Sequence, residues 1–189
     1  MEFQDKYADF FETVHPDYFD QKLFVPGFGC EESKYALIGE APGANEVKQG
    51  KPFVGRAGKR LDEILSNIGV KRSELYITNL VKVRPPNNRN PTKKEIAAWA
   101  PLLREEIDSV KPEIIITLGN FASRQMLDTS KGISQIHGRI FTREGLKIMP
   151  TYHPAATLYD RSKGPELEKD LRKAFQKEES GQRKLDDLT

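Results

Sequence analysis

Residues 35–40, Tyr-Ala-Leu-Ile-Gly-Glu, form a short apolar run that stops abruptly in Ala41-Pro42-Gly43. Three later runs end in a similar way. Residues 75–81 (LYITNLV) carry Asn79 near their end, residues 113–118 (EIIITL) stop at Gly119-Asn120, and residues 146–152 (LKIMPTY) stop at His153-Pro154. Short runs rich in β-branched and aromatic residues, bounded by Gly, Pro or Asn, read as strands. Helical patterns fill the intervals. Strands alternating with helices predict an α/β fold, here a three-layer αβα sandwich around a mostly parallel four-stranded sheet. In open α/β sheets, ligands bind outside the carboxyl ends of the strands. Glu40, Asn79, Asn120 and His153, far apart in the chain, are thereby expected to converge.

The intervals carry their own signals. Leu61, Ile64, Leu65 and Ile68 set one apolar face on a helix ending at Gly69. Thr92 and Glu95 form a capping box for the next helix, whose stripe is Ile96, Leu103, Ile107 and Val110. Pro101 is expected to kink that helix or split it. A short helix over 121–127, a hairpin turning at Glu144-Gly145 and a last helix from about Pro165 to Lys177 complete the pattern. Residues 41–55 read as a long polar loop, and residues 84–91 as a loop too proline-rich for regular structure. Residues 1–29 read as an N-terminal helical segment, with Phe3, Tyr7, Phe10, Phe11 and Val14 at helical spacing and a break at 25–29. Residues 178–189 are polar and read as a frayed tail.

At 189 residues the chain is expected to form one domain, 1–189, with a real core. A net charge of +2 says little about partners. No apolar run approaches the length of a membrane span. The N-terminus MEFQDKYADFF lacks the basic start and apolar stretch of a signal peptide, so a cytoplasmic location is expected. The single cysteine, Cys30, excludes a disulfide framework and a cysteine cluster for a metal, and reads as a partly buried loop thiol.

The densest stretch runs from Gly39-Glu40-Ala41-Pro42-Gly43 through Glu46 to Gly50-Lys51-Pro52-Phe53-Val54-Gly55-Arg56-Ala57-Gly58. Glycines and a proline around one turn fix an unusual backbone path. Phe53 and Val54 are apolar residues in a polar loop, where pinning the loop to the core is the commoner role. Gly58-Lys59-Arg60 lacks the spacer and the Ser or Thr of a phosphate loop, which excludes a nucleoside triphosphate site. Asn79 reads either as a strand-end cap or as a group facing a ligand. His153 reads either as a structural histidine or as a catalytic one. Lys82, Arg84, Arg89, Lys93 and Lys94 read either as a solvated face or as phosphate contacts, which suit a rigid loop with Arg and Asn.

The motifs GEAPG, GKPFVGRAG, ITNLVKVRPPNNRNP, ITLGNFA and YHPAATL, in that order over residues 37–159, resemble the uracil-DNA glycosylase superfamily. Within it the chain is most similar to family 4, the group that carries an iron–sulfur cluster. The resemblance implies a uracil-DNA glycosylase-like fold and a monofunctional enzyme that flips uracil out of DNA and excises it, starting base excision repair. It implies Phe53 as the stacking ring, Asn79 as reader of the Watson–Crick edge, Glu46 near the base C5 position, and Gly39 as a further substrate-binding residue. His153 would donate a hydrogen bond to the departing uracil. The superfamily's most active members place Asp where this chain has Ala41, so Glu40 or backbone carbonyls around Ala41 are left to hold the water. Gly119, Asn120 and the 84–91 loop with Arg84 and Arg89 would grip phosphates, and residues 154–161, ending in the DNA-binding Arg161, would form a wedge loop. Leu158 or Tyr159 would enter the gap left by the flipped base.

The same resemblance places two of the four cluster cysteines at Val83 and Trp99, and the chain has none before Val25. No iron–sulfur cluster, metal or organic cofactor is therefore expected, with packing of Trp99 against N-terminal aromatics in its place. The expected partner is uracil-containing DNA, single- or double-stranded, acted on by a monomer without membrane association. Two alternatives stand beside this reading: a glycosylase for another deaminated base, such as hypoxanthine or xanthine, and a weakly catalytic uracil-DNA-binding module.

Overall fold

The computed structural model describes Tyr7 and residues 21–176. Its strands are β1 (Phe28–Gly29), β2 (Tyr35–Gly39), β3 (Tyr76–Asn79), β4 (Ile114–Leu118), β5 (Phe141–Arg143) and β6 (Leu146–Thr151). They form one sheet in the order β1-β3-β2-β4-β6-β5. The central four, β3, β2, β4 and β6, are parallel and are the four runs read from the sequence. The expected four-stranded sheet is nevertheless two strands too small. β5 lies antiparallel to β6, as the arm of the hairpin at Glu144-Gly145, and β1 lies antiparallel to β3. Strand β1 escaped the sequence reading because two residues cannot show an alternation.

The helices are α1 (Ala44–Gln49), α2 (Arg56–Asn67), α3 (Lys93–Val110), α4 (Asn120–Leu127), α5 (Ile133–Ile136), α6 (Ala156–Tyr159) and α7 (Lys163–Gln176). Helix α1 interrupts the segment read as a polar loop. It buries no residue, so it left no apolar periodicity to read. A 3-10 turn at Pro86–Asn88 likewise gives the proline-rich loop some order. Pro101 does not split α3. Pro101 and Ala97, whose carbonyl loses its partner, are both exposed, so water can take the missing bond. The capping box forms as expected: Glu95 N–H donates to Thr92 Oγ1 at 3.2 Å and Thr92 N–H to Glu95 Oε2 at 2.7 Å. The amphipathic pattern at Phe3–Val14, Tyr7 apart, and the tail at 178–189 lie outside the described residues.

Strand residues point alternately to the two faces of the sheet, and both faces are covered. Leu37, Ile77, Ile116 and Met149 pack with Leu61, Ile64 and Leu65 of α2 and Leu167, Leu171 and Ala174 of α7. Ala36, Ile38, Tyr76, Ile115 and Ile148 pack with Leu103, Ile107 and Val110 of α3 and Ala122 of α4. The three-layer sandwich therefore follows from apolar runs that are buried on both sides.

A third cluster gathers Tyr7, Val81, Val83, Trp99 and Leu102. Phe24 stacks on Trp99 with ring centroids 6.1 Å apart, and Tyr7 meets Phe24 edge-on at 5.0 Å. Phe24 also pairs with Val83 in an antiparallel bridge. Trp99 has no exposed surface. Trp99→Ala is expected to lower unfolding free energy by about 3–5 kcal/mol, the usual cost of emptying a buried aromatic site. Urea denaturation checks this, and a loss below about 1 kcal/mol would mean that the cluster contributes little to the fold.

Candidate active site

The carboxyl ends of β2, β3 and β6 open into a cleft of about 740 Å³, lined by Glu40, Glu46, Phe53, Asn79, Arg89 and His153 among others. Its floor is set by strand register. Gly39 of β2 lies opposite Asn79 of β3. A methyl group on Gly39 would overlap both Asn79 Oδ1 and the Phe53 ring, so the bare glycine is what admits both. Asn79 is buried and its Oδ1 has no hydrogen-bond partner. Leaving a buried acceptor unpaired costs about 1–3 kcal/mol, and such groups are rare in native proteins. A ligand N–H would relieve that cost.

Phe53 stands in the left-handed region at φ 54°, a strained setting for a bulky residue. Hydrogen bonds bracket it. Arg72 Nη2 donates to Pro52 O at 2.5 Å, and the amides of Val54 and Gly55 donate to Glu46 Oε1 at 2.9 and 2.7 Å. Gly58 leaves room for the Phe53 carbonyl, which a methyl group would strike. The Phe53 ring thus faces the imidazole of His153 at 5.6 Å. The other oxygen of Glu46, Oε2, accepts from Gly43 N–H at 3.2 Å. Glu46 therefore braces the turn after β2 against the Phe53 loop, in addition to lining the cleft. Nothing in the sequence showed this, because the carboxylate works through backbone amides.

His153 follows β6. Beneath it Gly119 has φ 92°, and a methyl group there would come within 2.9 Å of His153 Cβ. Ala155 N–H donates to His153 Nδ1 at 3.1 Å. With Nδ1 accepting, the proton of the neutral ring sits on Nε2. Burial pushes the imidazole pKa down to about 4 and outweighs the nearby Glu46 charge, which acts the other way. Burial also raises the Glu40 carboxyl above its ordinary range. Glu40 is half-buried on the cleft wall, while Ala41 packs toward the aromatic cluster.

Around the mouth, Leu158 and Tyr159 of α6 are exposed, Tyr159 by 86%. Arg84 donates from Nε to Asn88 Oδ1 at 2.9 Å and meets no carboxylate among the described residues. Arg89 is different, since Glu95 takes its guanidinium in a two-pronged pair at 2.7 and 2.8 Å. Asn120 Oδ1 accepts from Ile133 N–H at 2.7 Å and caps α5. Arg161 is exposed beyond α6. Lys82, grouped in the sequence with the basic loop, is fully buried against Glu106.

The residues at the expected cluster positions do not fit an iron–sulfur cluster. Val83 and Trp99 offer no thiolate and are packed in the third core cluster. Among the described residues no group of three or more His, Cys, Asp or Glu could hold a metal ion. Cys30 is a free thiol of intermediate exposure, as expected.

Comparison with known proteins agrees with the geometry. The family described as Uracil DNA glycosylase superfamily matches residues 26–177. A Type-4 uracil-DNA glycosylase of Saccharolobus solfataricus is 46% identical over 162 residues, covering 81% of this chain and 75% of that protein. A Type-4 enzyme of Thermotoga maritima is 40% identical over 152 residues, covering 79% of each chain. A Type-5 uracil-DNA glycosylase of Pyrobaculum aerophilum is 30% identical over 148 residues, covering 69% of this chain and 65% of that protein.

The state of His153 is directly measurable. Its imidazole is expected to titrate near pH 4 in the native protein, against about 6.5 for an unperturbed histidine. Between those values the unfolded chain binds the proton and the native state does not. His153 therefore withdraws stability as pH falls through that window. Histidine-selective NMR, assigned with His153→Gln, reads the midpoint, and a value at or above 6 would contradict a ring kept neutral by desolvation.

Proposed function

Because the chain belongs to the uracil-DNA glycosylase superfamily, we propose that it is a monofunctional uracil-DNA glycosylase, hydrolysing the N-glycosidic bond of deoxyuridine in DNA. The observation that carries the proposal is the unpartnered Asn79 Oδ1, buried beside the Phe53 ring and the neutral His153. Uracil satisfies that acceptor with N3–H and takes the Asn79 amide N–H at O4. Cytosine presents the reverse pattern at both atoms and leaves both groups unpaired.

Flipping the nucleotide out of the stack costs a few kcal/mol. Stacking on Phe53 returns about 1–3 kcal/mol, and Leu158 or Tyr159 fills the vacated gap. Arg84 and Arg161 hold phosphates, while Arg89 is already paired with Glu95. Bond cleavage leaves the glycosidic electron pair on uracil and an oxocarbenium-like sugar. Negative charge gathers at O2, where His153 Nε2–H donates without giving up its proton. A donor preset for charge that develops only in the transition state lowers the barrier. Water then adds to C1′ and loses a proton to the Glu40 carboxylate, whose raised pKa makes it a better acceptor. Among the described residues no lysine lines the cleft, and a Schiff base and strand cleavage are not part of the scheme.

The enzyme is proposed to act in the cytoplasm as a monomer on single- or double-stranded DNA and to carry no iron. Among the described residues no helix is long and apolar enough to cross a membrane. The packed Trp99 cluster supports the iron-free reading. Purified protein is expected to show no visible absorption and no stoichiometric iron or sulfide, and a brown, iron-bearing preparation would overturn that part.

The functional test is release of free base from DNA carrying uracil, hypoxanthine or xanthine. Uracil release leaving an intact abasic strand is expected. Release of hypoxanthine or xanthine in preference would change the substrate, and tight uracil-DNA binding without release would make the protein a binding module. Asn79→Ala should slow single-turnover excision by about 100-fold or more. His153→Ala should slow it by about ten- to over a hundredfold, from the loss of one hydrogen bond to a charged group. A near-normal rate in either variant would remove that residue from the chemistry.

A further inference from the structure

Lys82 and Glu106 line no part of the cleft, yet both side chains are wholly buried. Lys82 Nζ donates to Glu106 Oε2 at 2.7 Å, to Thr78 Oγ1 at 2.6 Å and to the main-chain oxygen of Asn79 at 2.7 Å. These are all the donors an ammonium has. Thr78 Oγ1 donates to Glu106 Oε2 at 3.0 Å, and the Tyr7 hydroxyl donates to Glu106 Oε1. With no exposed surface, the Lys82 amine cannot reach DNA or act as a nucleophile.

Stability alone gives a poor account of this pair. Taking two charges out of water is expensive, and well-packed apolar residues in place of a buried ion pair are often neutral or stabilising. What an apolar pair cannot supply is a donor on the Asn79 carbonyl. Past Asn79 the chain leaves β3, with Leu80 N–H donating to Gly39 O at 3.0 Å and Val81 N–H to Glu40 O at 3.3 Å. Lys82 then folds its side chain back under this turn to the carbonyl three residues earlier.

We propose that the buried Lys82–Glu106 pair is a positioning device for Asn79. Glu106, on α3, fixes the ammonium, and the ammonium fixes the Asn79 peptide and with it the direction in which the amide enters the cleft. The proposal rests on the reading of Asn79 as the group that recognises uracil. Charge-assisted hydrogen bonds are short and directional. Functional groups need placement within about 0.5 Å, and a misplacement of about 1 Å can cost about 100-fold in rate.

The test removes both charges together, because Lys82→Met alone strands a buried carboxylate. Lys82→Met/Glu106→Leu is expected to unfold cooperatively and to bind DNA with wild-type affinity, since Lys82 touches no phosphate. Its single-turnover excision at saturating enzyme should fall by about ten- to a hundredfold. In an Asn79→Ala background the same pair of substitutions should change the rate by no more than about twofold, because the device acts only through Asn79. A merely structural role would add its full loss in that background and would overturn the proposal. So would an unchanged rate in the folded double variant beside a slow Asn79→Ala. A wild-type rate for Asn79→Ala would instead overturn the base-reading assignment itself. Should the double variant fail to fold, Glu106→Gln, which keeps shape and an acceptor oxygen, is judged by the same comparison.

Discussion

The parallel register of β2 and β3 sets Gly39 beside Asn79, and the rest of the site depends on the side chain that Gly39 lacks. The Asn79 amide and the Phe53 ring both rest against that bare Cα. A residue with Cβ would separate them and close the space proposed for a planar base. Gly119 repeats the device at the neighbouring strand end, where its positive φ and missing Cβ let His153 come down onto the backbone. Two glycines at strand ends therefore create the pocket, and three side chains from distant parts of the chain furnish it.

Glu46 then holds that furniture in place. A left-handed Phe53 costs roughly 1–3 kcal/mol. Hydrogen bonds to a charged group are worth about 1.5–3 kcal/mol each, and Glu46 accepts two from the residues just after Phe53 and one from Gly43. The interactions exceed the strain, so the ring is presented as a fixed surface. The Glu46 charge favours the imidazolium of His153, but desolvation opposes it more strongly. A neutral donor suits a leaving group that develops negative charge and needs no proton.

The four parallel strands and the convergence of Glu40, Asn79 and His153 were legible because apolar runs and Gly, Pro or Asn at their ends are local signals; Asn120, expected with them, does not line the cleft and instead caps α5. Their roles were not local signals and came from the family resemblance. Strand β1 was invisible because two residues carry no period, and α1 because it buries nothing. Lys82 and Glu106 were misleading for another reason. In sequence each is one charge among many, Lys82 in a basic loop and Glu106 in a charged helix, and only packing of α3 on the sheet shows that both are buried. The resemblance implied phosphate contacts for Arg89 and Asn120, but Glu95 pairs with the Arg89 guanidinium and an α5 amide donates to Asn120 Oδ1.

The aromatic cluster bears on the placement of Arg84 as well as on folding. Val25 N–H donates to Lys82 O at 2.7 Å and Arg84 N–H to Leu23 O at 3.4 Å, flanking the Phe24–Val83 bridge. Residues 23–25 and 82–84 thus form a short antiparallel ribbon, pinned where Phe24 stacks on Trp99. Arg84 is the last residue of that ribbon, whereas Arg89 lies five residues farther into the loop and is neutralised by Glu95. A cation on an anchored backbone loses less freedom on meeting a phosphate than one on a loop still to be ordered. The packing that stands at the expected cluster positions therefore does more than fill space: it anchors the backbone that carries Arg84, the residue proposed to meet a phosphate.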